Sequence, residues 1–389
     1  MTEHIFQLID DHFQEMVDIR RYLHERPELS FEEHETAKYI SQFYEQLNIP
    51  YETNVGGNGI IATLEGGKEG KTIGLRADFD ALPIQDEKDV SYKSKNDGVM
   101  HACGHDGHTA ILLTIAKVLT SVKDELKGTV VFIHQHAEEL APGGAKPMMA
   151  SGKLDHIDAF FGSHLWVPTP LGTIDTTKGN FMAGVDRFEI TIQGKGGHGA
   201  APHETKDSIV IGADVVSQIQ QIVSRRIDPL ETAVVTIGSF QSGNAFNIIA
   251  DTAKIVGTVR YFNRDVQETI MKEMKNILQG LCVGSECSHT LSYEKGYPPV
   301  INHEDDAELI MTFSEQIKDV KEVREVPPTM GGEDFAYYIL NHPGAYFFTG
   351  AQKEGHVYPH HHPLFDFDER AMPIAAKALI QAYLNYQEK

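Results

Sequence analysis

Four short runs in this chain are apolar almost without interruption, and stretches of helical spacing separate them. They are Thr72-Ile-Gly-Leu-Arg-Ala-Asp78, Thr129-Val-Val-Phe-Ile-His134, Ile157-Asp-Ala-Phe-Phe-Gly-Ser163 and Ala345-Tyr-Phe-Phe-Thr349. Strands of this kind have no face to give to water, so the sheet they form must be covered on both sides. The cover comes from helices expected over about Ile5–His24, Thr109–Leu126, Asp305–Ile317 and Glu333–Leu340, with a closing helix from about Asp368. The fold class that follows is α/β, a mixed, mostly parallel sheet flanked by helices.

The pattern changes near Gly184. Asp186-Arg-Phe-Glu-Ile-Thr-Ile-Gln193 alternates, as a half-exposed strand does. A helix over about Thr205–Arg226, strands Thr232–Ser239 and Thr252–Tyr261, a helix over about Val266–Leu281 and a strand near His289–Lys295 follow. The order β-α-β-β-α-β is that of a ferredoxin-like α+β unit. The chain therefore reads as residues 1–184 and 297–389 of one domain, interrupted by an inserted domain at 185–296.

Composition limits the partners. With 34 Lys+Arg against 56 Asp+Glu, the net charge of −22 opposes binding to nucleic acid or to an anionic membrane surface. No apolar run approaches the roughly 20 residues of a spanning helix. The start, Met1-Thr2-Glu3-His4, lacks the layout of a signal peptide, and three cysteines, one of them necessarily unpaired, argue against a disulfide framework, so a cytoplasmic protein is expected.

The 20 histidines are placed informatively. Open α/β sheets bind ligands beyond the carboxyl ends of their strands. Here those ends carry Asp78-Phe-Asp80, His134-Gln-His136-Ala-Glu138-Glu139 and His164, with His101-Ala-Cys103-Gly-His105-Asp-Gly-His108 between the first two. Cys103 and His105, two apart, share a side in an extended segment and can grip one cation; thiolate and imidazole suit a borderline metal such as zinc. Glu138 and Glu139 follow a strand, where neighbouring side chains point opposite ways, so one can hold metal while the other serves as general base. One of His360, His361 and His362 is expected to reach the metal, with Pro363 holding His362 extended. Gly194-Lys-Gly196-Gly-His198-Gly199 fits a dinucleotide fingerprint in letters only. Pro202 delays the helix, no parallel βαβ unit surrounds it, and it reads better as a flexible loop presenting His198. Gly331-Gly332 before a helix at Glu333 suggests a backbone anion site, with a plain turn as the equal alternative.

Arg76-Ala-Asp78-Phe-Asp80-Ala-Leu-Pro83, Met100–His108, His136–Glu139, Gly194–His203 and His360–Pro363 together resemble the metal-dependent aminoacylase and carboxypeptidase family. The most similar branch is that of hippurate hydrolase, N-acetyl-diaminopimelate deacetylase and the plant auxin-conjugate amidohydrolases. The resemblance runs through essentially the whole chain in order. It implies a hydrolase with two divalent ions per subunit, manganese or zinc, with cobalt or nickel also accepted, and an inserted lid domain that joins a homodimer. Cys103 resembles the bridging ligand, where carboxypeptidase relatives use Asp. His105, Glu139, His164 and His362 resemble the other ligands, and Glu138 the general base. His198 resembles a lid histidine that reaches the neighbouring subunit's site. Asn247 and Arg260 resemble groups holding a substrate carboxylate, with Gly331 and Gly332 expected to touch substrate. Asp78 departs from the carboxypeptidase pattern, which has a His ligand there; His105 substitutes for it, and Asp80 resembles an orienting residue. The implied reaction is hydrolysis of N-acyl amino acids, N-acetyl or aroyl. The alternatives are a dipeptidase or carboxypeptidase and, less in keeping with Glu138, a non-catalytic metal-binding protein.

Overall fold

The four apolar runs lie side by side at the centre of an eight-stranded sheet. In the computed structural model, which describes Met1–Lys389, the strand order is Tyr51–Val55, Gly59–Glu65, Lys127–Gln135, Lys68–Asp78, Ala159–Pro170, Gly344–Gln352, Thr173–Thr176 and Glu322–Glu325. The middle four are parallel, and the strands flanking them, Gly59–Glu65 and Thr173–Thr176, run antiparallel. Val130, Val131, Phe132 and Ile133 are consecutive and all fully buried, so both faces of the sheet are covered. Helices His105–Ser121 and Ala371–Tyr386 supply much of that cover, and Ile111, Leu112, Ile115, Ile374, Leu379 and Ile380 belong to one core. Each such side chain contributes about 1.5–3 kcal/mol by leaving water.

The sheet belongs to one of two compact units, Met1–Phe181 with Val300–Pro328 and Asp334–Lys389. The other is Met182–Pro299 with Thr329–Glu333. It holds a four-stranded antiparallel sheet in the order Ala233–Ser242, Thr252–Tyr261, Gly184–Gln193, Ser288–Lys295. Helices Ser208–Arg226 and Arg264–Ser285 fall between strands in the chain, giving the β-α-β-β-α-β order. Asp207 and Asn263 begin these helices, each accepting a backbone N–H in the first turn. Phe188, Ile190 and Ile192 pack with Ile211, Val215, Ile219, Ile270, Met274 and Leu278, which is why this sheet alternates in burial while the large one does not. No helix is long and apolar enough to cross a membrane.

Three elements differ from expectation. The first helix is two, Thr2–Asp11 and Phe13–His24, with His12 between them; the His12 ring lies 2.8 Å from the Leu8 carbonyl. The helix expected over Thr109–Leu126 runs His105–Ser121, so His105 and His108 sit in its first turn. The helix expected at Glu333 is only Ala336–Ile339.

Candidate metal centre

Cys103 and His105 meet through a turn and not along an extended segment. Gly104 has φ 99°, a left-handed conformation that a side chain strains, and the next residue starts the helix. His164 lies inside strand Ala159–Pro170, not beyond its end, and its Nε2 is 3.4 Å from Cys103 Sγ. Glu138 and Glu139 come three and four residues after strand Lys127–Gln135 ends. The pleat no longer governs them there: Glu138 Oε2 and Glu139 Oε1 both lie 3.9 Å from His105 Nε2. The donor atoms of Cys103, His105 and His164 fall within 4.8 Å of one another, as do those of Cys103, Glu139 and His361, and those of His105, Glu138 and Glu139.

Hydrogen bonds on the far ring nitrogens set the tautomers. His105 Nδ1 donates to the Asp80 carbonyl at 2.9 Å and faces Asp80 Oδ1 at 3.2 Å, while His164 Nδ1 donates to the Leu165 carbonyl at 2.9 Å. Both leave Nε2 turned to the cluster, the arrangement that metal-ligating histidines adopt. Asp80 also accepts from the Glu139 backbone N–H at 3.0 Å and the Ser30 hydroxyl at 2.7 Å, so it orients His105 and Glu139 together.

The electrostatics call for a cation. Burial opposes charge on His105, yet Asp78, Asp80 and Glu139 outweigh it and push the imidazole up to about 10. Burial, with Glu139, Glu138 and Asp78 nearby, pushes the Cys103 thiol well up. Burial, reinforced by His108 and His360, keeps His164 well below the usual imidazole range and therefore neutral. His105 Nε2 is buried without a hydrogen-bond partner. A buried polar atom of this kind is costly unless something meets it. Thiol, imidazole and carboxylate donors around it fit a borderline divalent metal.

Of the histidine run, His361 and not His362 reaches this cluster. His361 has φ 64° and donates its N–H to the Ala102 carbonyl at 2.8 Å, which turns its ring to 3.2 Å from Glu139 Oε1. His362 instead accepts the Leu364 N–H at 3.0 Å and stacks on Tyr358. His360 lies 3.1 Å from the Leu165 carbonyl and stacks on Trp166. Asp78 faces the same imidazole, its Oδ2 3.8 Å from His105 Nε2, and its donor atoms group with those of His105 and His108. It accepts from His108 Nδ1 at 2.6 Å, while His108 Nε2 takes the Leu165 N–H at 2.9 Å, so this pair braces the strand carrying His164. Burial works against the charge on Asp78, but Arg76, His105 and His108 hold it well below the carboxylate range. The three-residue spacing of His105 and His108 at a helix start is the signal that could have indicated this bracing role.

The remaining candidates lie in the smaller unit. His198 is exposed in the two-residue strand Gly197–His198, paired with Ile248–Ile249, and Gly199 N–H donates to the Asn247 carbonyl at 2.9 Å, so His198 and Asn247 share one loop structure. Ala200 N–H donates to His198 Nδ1 at 3.0 Å, which leaves Nε2 as the donor of the neutral ring. Arg260 donates to the Met330 carbonyl at 3.1 Å and the Val259 carbonyl at 3.0 Å, bringing it beside Gly331 and Gly332. Without a helix at Glu333, the two glycines have no helix N-terminus behind them and make no anion site of the expected kind.

Residues 74–385 match the family described as Peptidase family M20/M25/M40. YhaA of Bacillus subtilis (strain 168), named as a candidate amidohydrolase, is 52% identical over 390 residues, covering 100% of this chain and 98% of that protein. An N-acyl-L-amino acid amidohydrolase of Geobacillus stearothermophilus is 44% identical over 308 residues, 78% of this chain and 82% of that one. The Bacillus subtilis YXEP protein, described as a dinuclear metal binding peptidase from the M20 family, superposes with a TM-score of 0.85 at 34% identity, covering 97% of this chain and 99% of that chain. The chain belongs to the M20/M25/M40 peptidase family. It is a metal-dependent hydrolase of the amidohydrolase kind.

Proposed function

We propose that this hydrolase cleaves the amide bond of N-acyl amino acids, using two divalent ions and Glu138 as general base. The observation that carries the reading is the pair of adjacent carboxylates at one imidazole, beside a thiol that belongs to two donor groups. A buffer or store of metal needs ligands but no spare carboxylate. Cys103, His105, Glu139, His164 and His361 are the residues to hold the ions, with Cys103 placed to serve both. The chemistry supplied there by bound divalent ions is a more acidic water and a polarised amide carbonyl.

The chain's own groups do the rest. Glu138 takes the proton of the attacking water and delivers it to the leaving amine nitrogen. Asp80 keeps His105 and Glu139 in place through the bonds described above. His198, its Nδ1 occupied by Ala200 N–H, donates from Nε2 to the developing oxyanion. Arg260 and the Asn247 amide bind the substrate carboxylate, the guanidinium by a two-pronged contact.

We further propose a homodimer in which His198 serves the other copy's site. The edge strand Ala233–Ser242 and the exposed Phe240, Phe246 and Ile248 of the same unit support a pairing surface there. Three free cysteines, one of them a proposed ligand, support a reducing cytoplasm. Zinc suits the thiol and imidazole donors of this set, and manganese its carboxylates.

The test is a panel of N-acetyl and N-benzoyl amino acids, their carboxamides and dipeptides, with enzyme reconstituted in manganese or zinc. Turnover of the acyl amino acids, with carboxamides much poorer, is expected. Cleavage of dipeptides alone would replace this reading with a dipeptidase.

A further inference from the structure

We infer that Glu33 is a positioning residue for the turn bearing Glu138 and Glu139, an inference that rests on the roles proposed above for those two side chains. Ala137 immediately before them has φ 51°, the left-handed region that a Cβ disfavours. Continued strand geometry would send Glu138 and Glu139 to opposite sides. Beyond this left-handed step both carboxylates lie 3.9 Å from His105 Nε2, so the step sets how the pair as a whole leaves the strand.

The flanks of the turn have their own restraints. Gly144 N–H donates to the Ala137 carbonyl at 3.2 Å, and Glu139 N–H donates to Asp80 at 3.0 Å. The N–H of Ala137 itself donates to Glu33 Oε1 at 2.8 Å. Glu33 is fully buried, and its other oxygen accepts from Asn58 Nδ2 at 2.9 Å. A buried carboxylate held only by the Asn58 amide, the Ala137 N–H and its own backbone N–H, with no cationic partner, is expensive as packing. It is well suited to over-determining a backbone conformation that would otherwise relax. Glu33 comes from the start of helix His34–Leu47, far from the turn in sequence, so the strained residue is held from outside its own loop.

The experiment compares Glu33→Ala, Glu33→Gln and the double variant Glu33→Ala/Ala137→Gly, with kcat and KM measured at saturating manganese and metal affinity by manganese titration of the metal-free enzyme. Small misplacements of a reacting group cost about 10²-fold. Glu33→Ala is expected to lose about 10²-fold in kcat with KM within about threefold. Metal affinity should fall less, because Asp80 still holds Glu139. Glu33→Gln, whose amide oxygen can accept the Ala137 N–H, should stay within about fivefold of wild type. Glycine enters the left-handed region without the Cβ penalty, so adding Ala137→Gly to Glu33→Ala should recover about tenfold in kcat. If Glu33→Ala does not fold, Glu33→Asp, which withdraws the carboxylate by one methylene, carries the same comparison. No recovery with Ala137→Gly, or a loss of metal affinity matching the loss of kcat, overturns the inference. Glu138→Gln run alongside separates the two levels. If that variant turns over normally, the base assignment has failed; if it is inactive and Ala137→Gly still rescues nothing, the role of Glu33 alone has failed.

Discussion

His105 and His198 are both assigned work on the same reaction, and their surroundings are opposite. His105 is fully buried, with Asp80 on one ring nitrogen and two glutamates near the other. His198 is exposed on a two-stranded loop, where its Nδ1 accepts the Ala200 N–H. A metal ligand must be held before the ion arrives, since its geometry decides coordination. An oxyanion donor gains its strength only where water is excluded. The large unit therefore carries a site built in advance, whereas the loop of the small unit still needs substrate or a second copy of the chain to desolvate it.

Chelation should draw the contrast most sharply. Removal of metal is expected to abolish turnover and leave the far-UV circular dichroism spectrum nearly unchanged, because the apolar strands form the core without it. Unfolding on chelation would mean that the prebuilt site is an effect of the ion and not of the fold.

The exposed side is probed by His198→Ala. A loss of about 10²–10³ in kcat is expected, with metal content unchanged. Mixed with Glu138→Gln and allowed to exchange subunits, it should return about a quarter of wild-type activity, since half the dimers are mixed and each has one intact site of two. No recovery after demonstrated exchange would confine His198 to its own subunit or remove it from catalysis.

A smaller effect separates neighbours within the buried cluster. His361→Ala should weaken metal binding by about 10–100-fold, on the scale of losing a partner that supports a ligand or more. His362→Ala should leave it within about threefold, as its ring caps Leu364 N–H and stacks on Tyr358. The reverse pattern would restore His362 as the ligand.

That last pair marks the limit of what was legible in the sequence. The sheet, the inserted β-α-β-β-α-β order and the grouping of Cys103, His105, His164, Glu138 and Glu139 could be read because burial on both faces and ligand-type residues at strand ends leave local traces. Three adjacent histidines are chemically identical, and what brings His361 beside Glu139 is a left-handed backbone and an N–H bonded to Ala102, more than 250 residues away in sequence. Strand alternation misplaced Glu138 and Glu139 because the strand ends at Gln135 and the chain then turns through a left-handed Ala137, which nothing about an alanine announces. The Glu33–Ala137 bond is likewise a long-range contact with no local signature, whereas the Asp78–His108 brace left only the spacing of His105 and His108 as a trace. Gly331-Gly332 looked like the start of a helix that, once folded, begins only at Ala336.

The division of labour between the two adjacent glutamates is the centre of the account, and paired substitutions test it directly. Glu138→Gln and Glu139→Gln would each be assayed for bound manganese or zinc and for turnover of an N-acyl amino acid. Glu138→Gln is expected to keep its metal and lose about 10²–10⁴ in kcat, the usual contribution of a general base. Glu139→Gln is expected to bind metal more weakly, with activity recovering as metal is raised. Metal loss in Glu138→Gln, or full metal with no turnover in Glu139→Gln, would contradict the assignment of base and ligand.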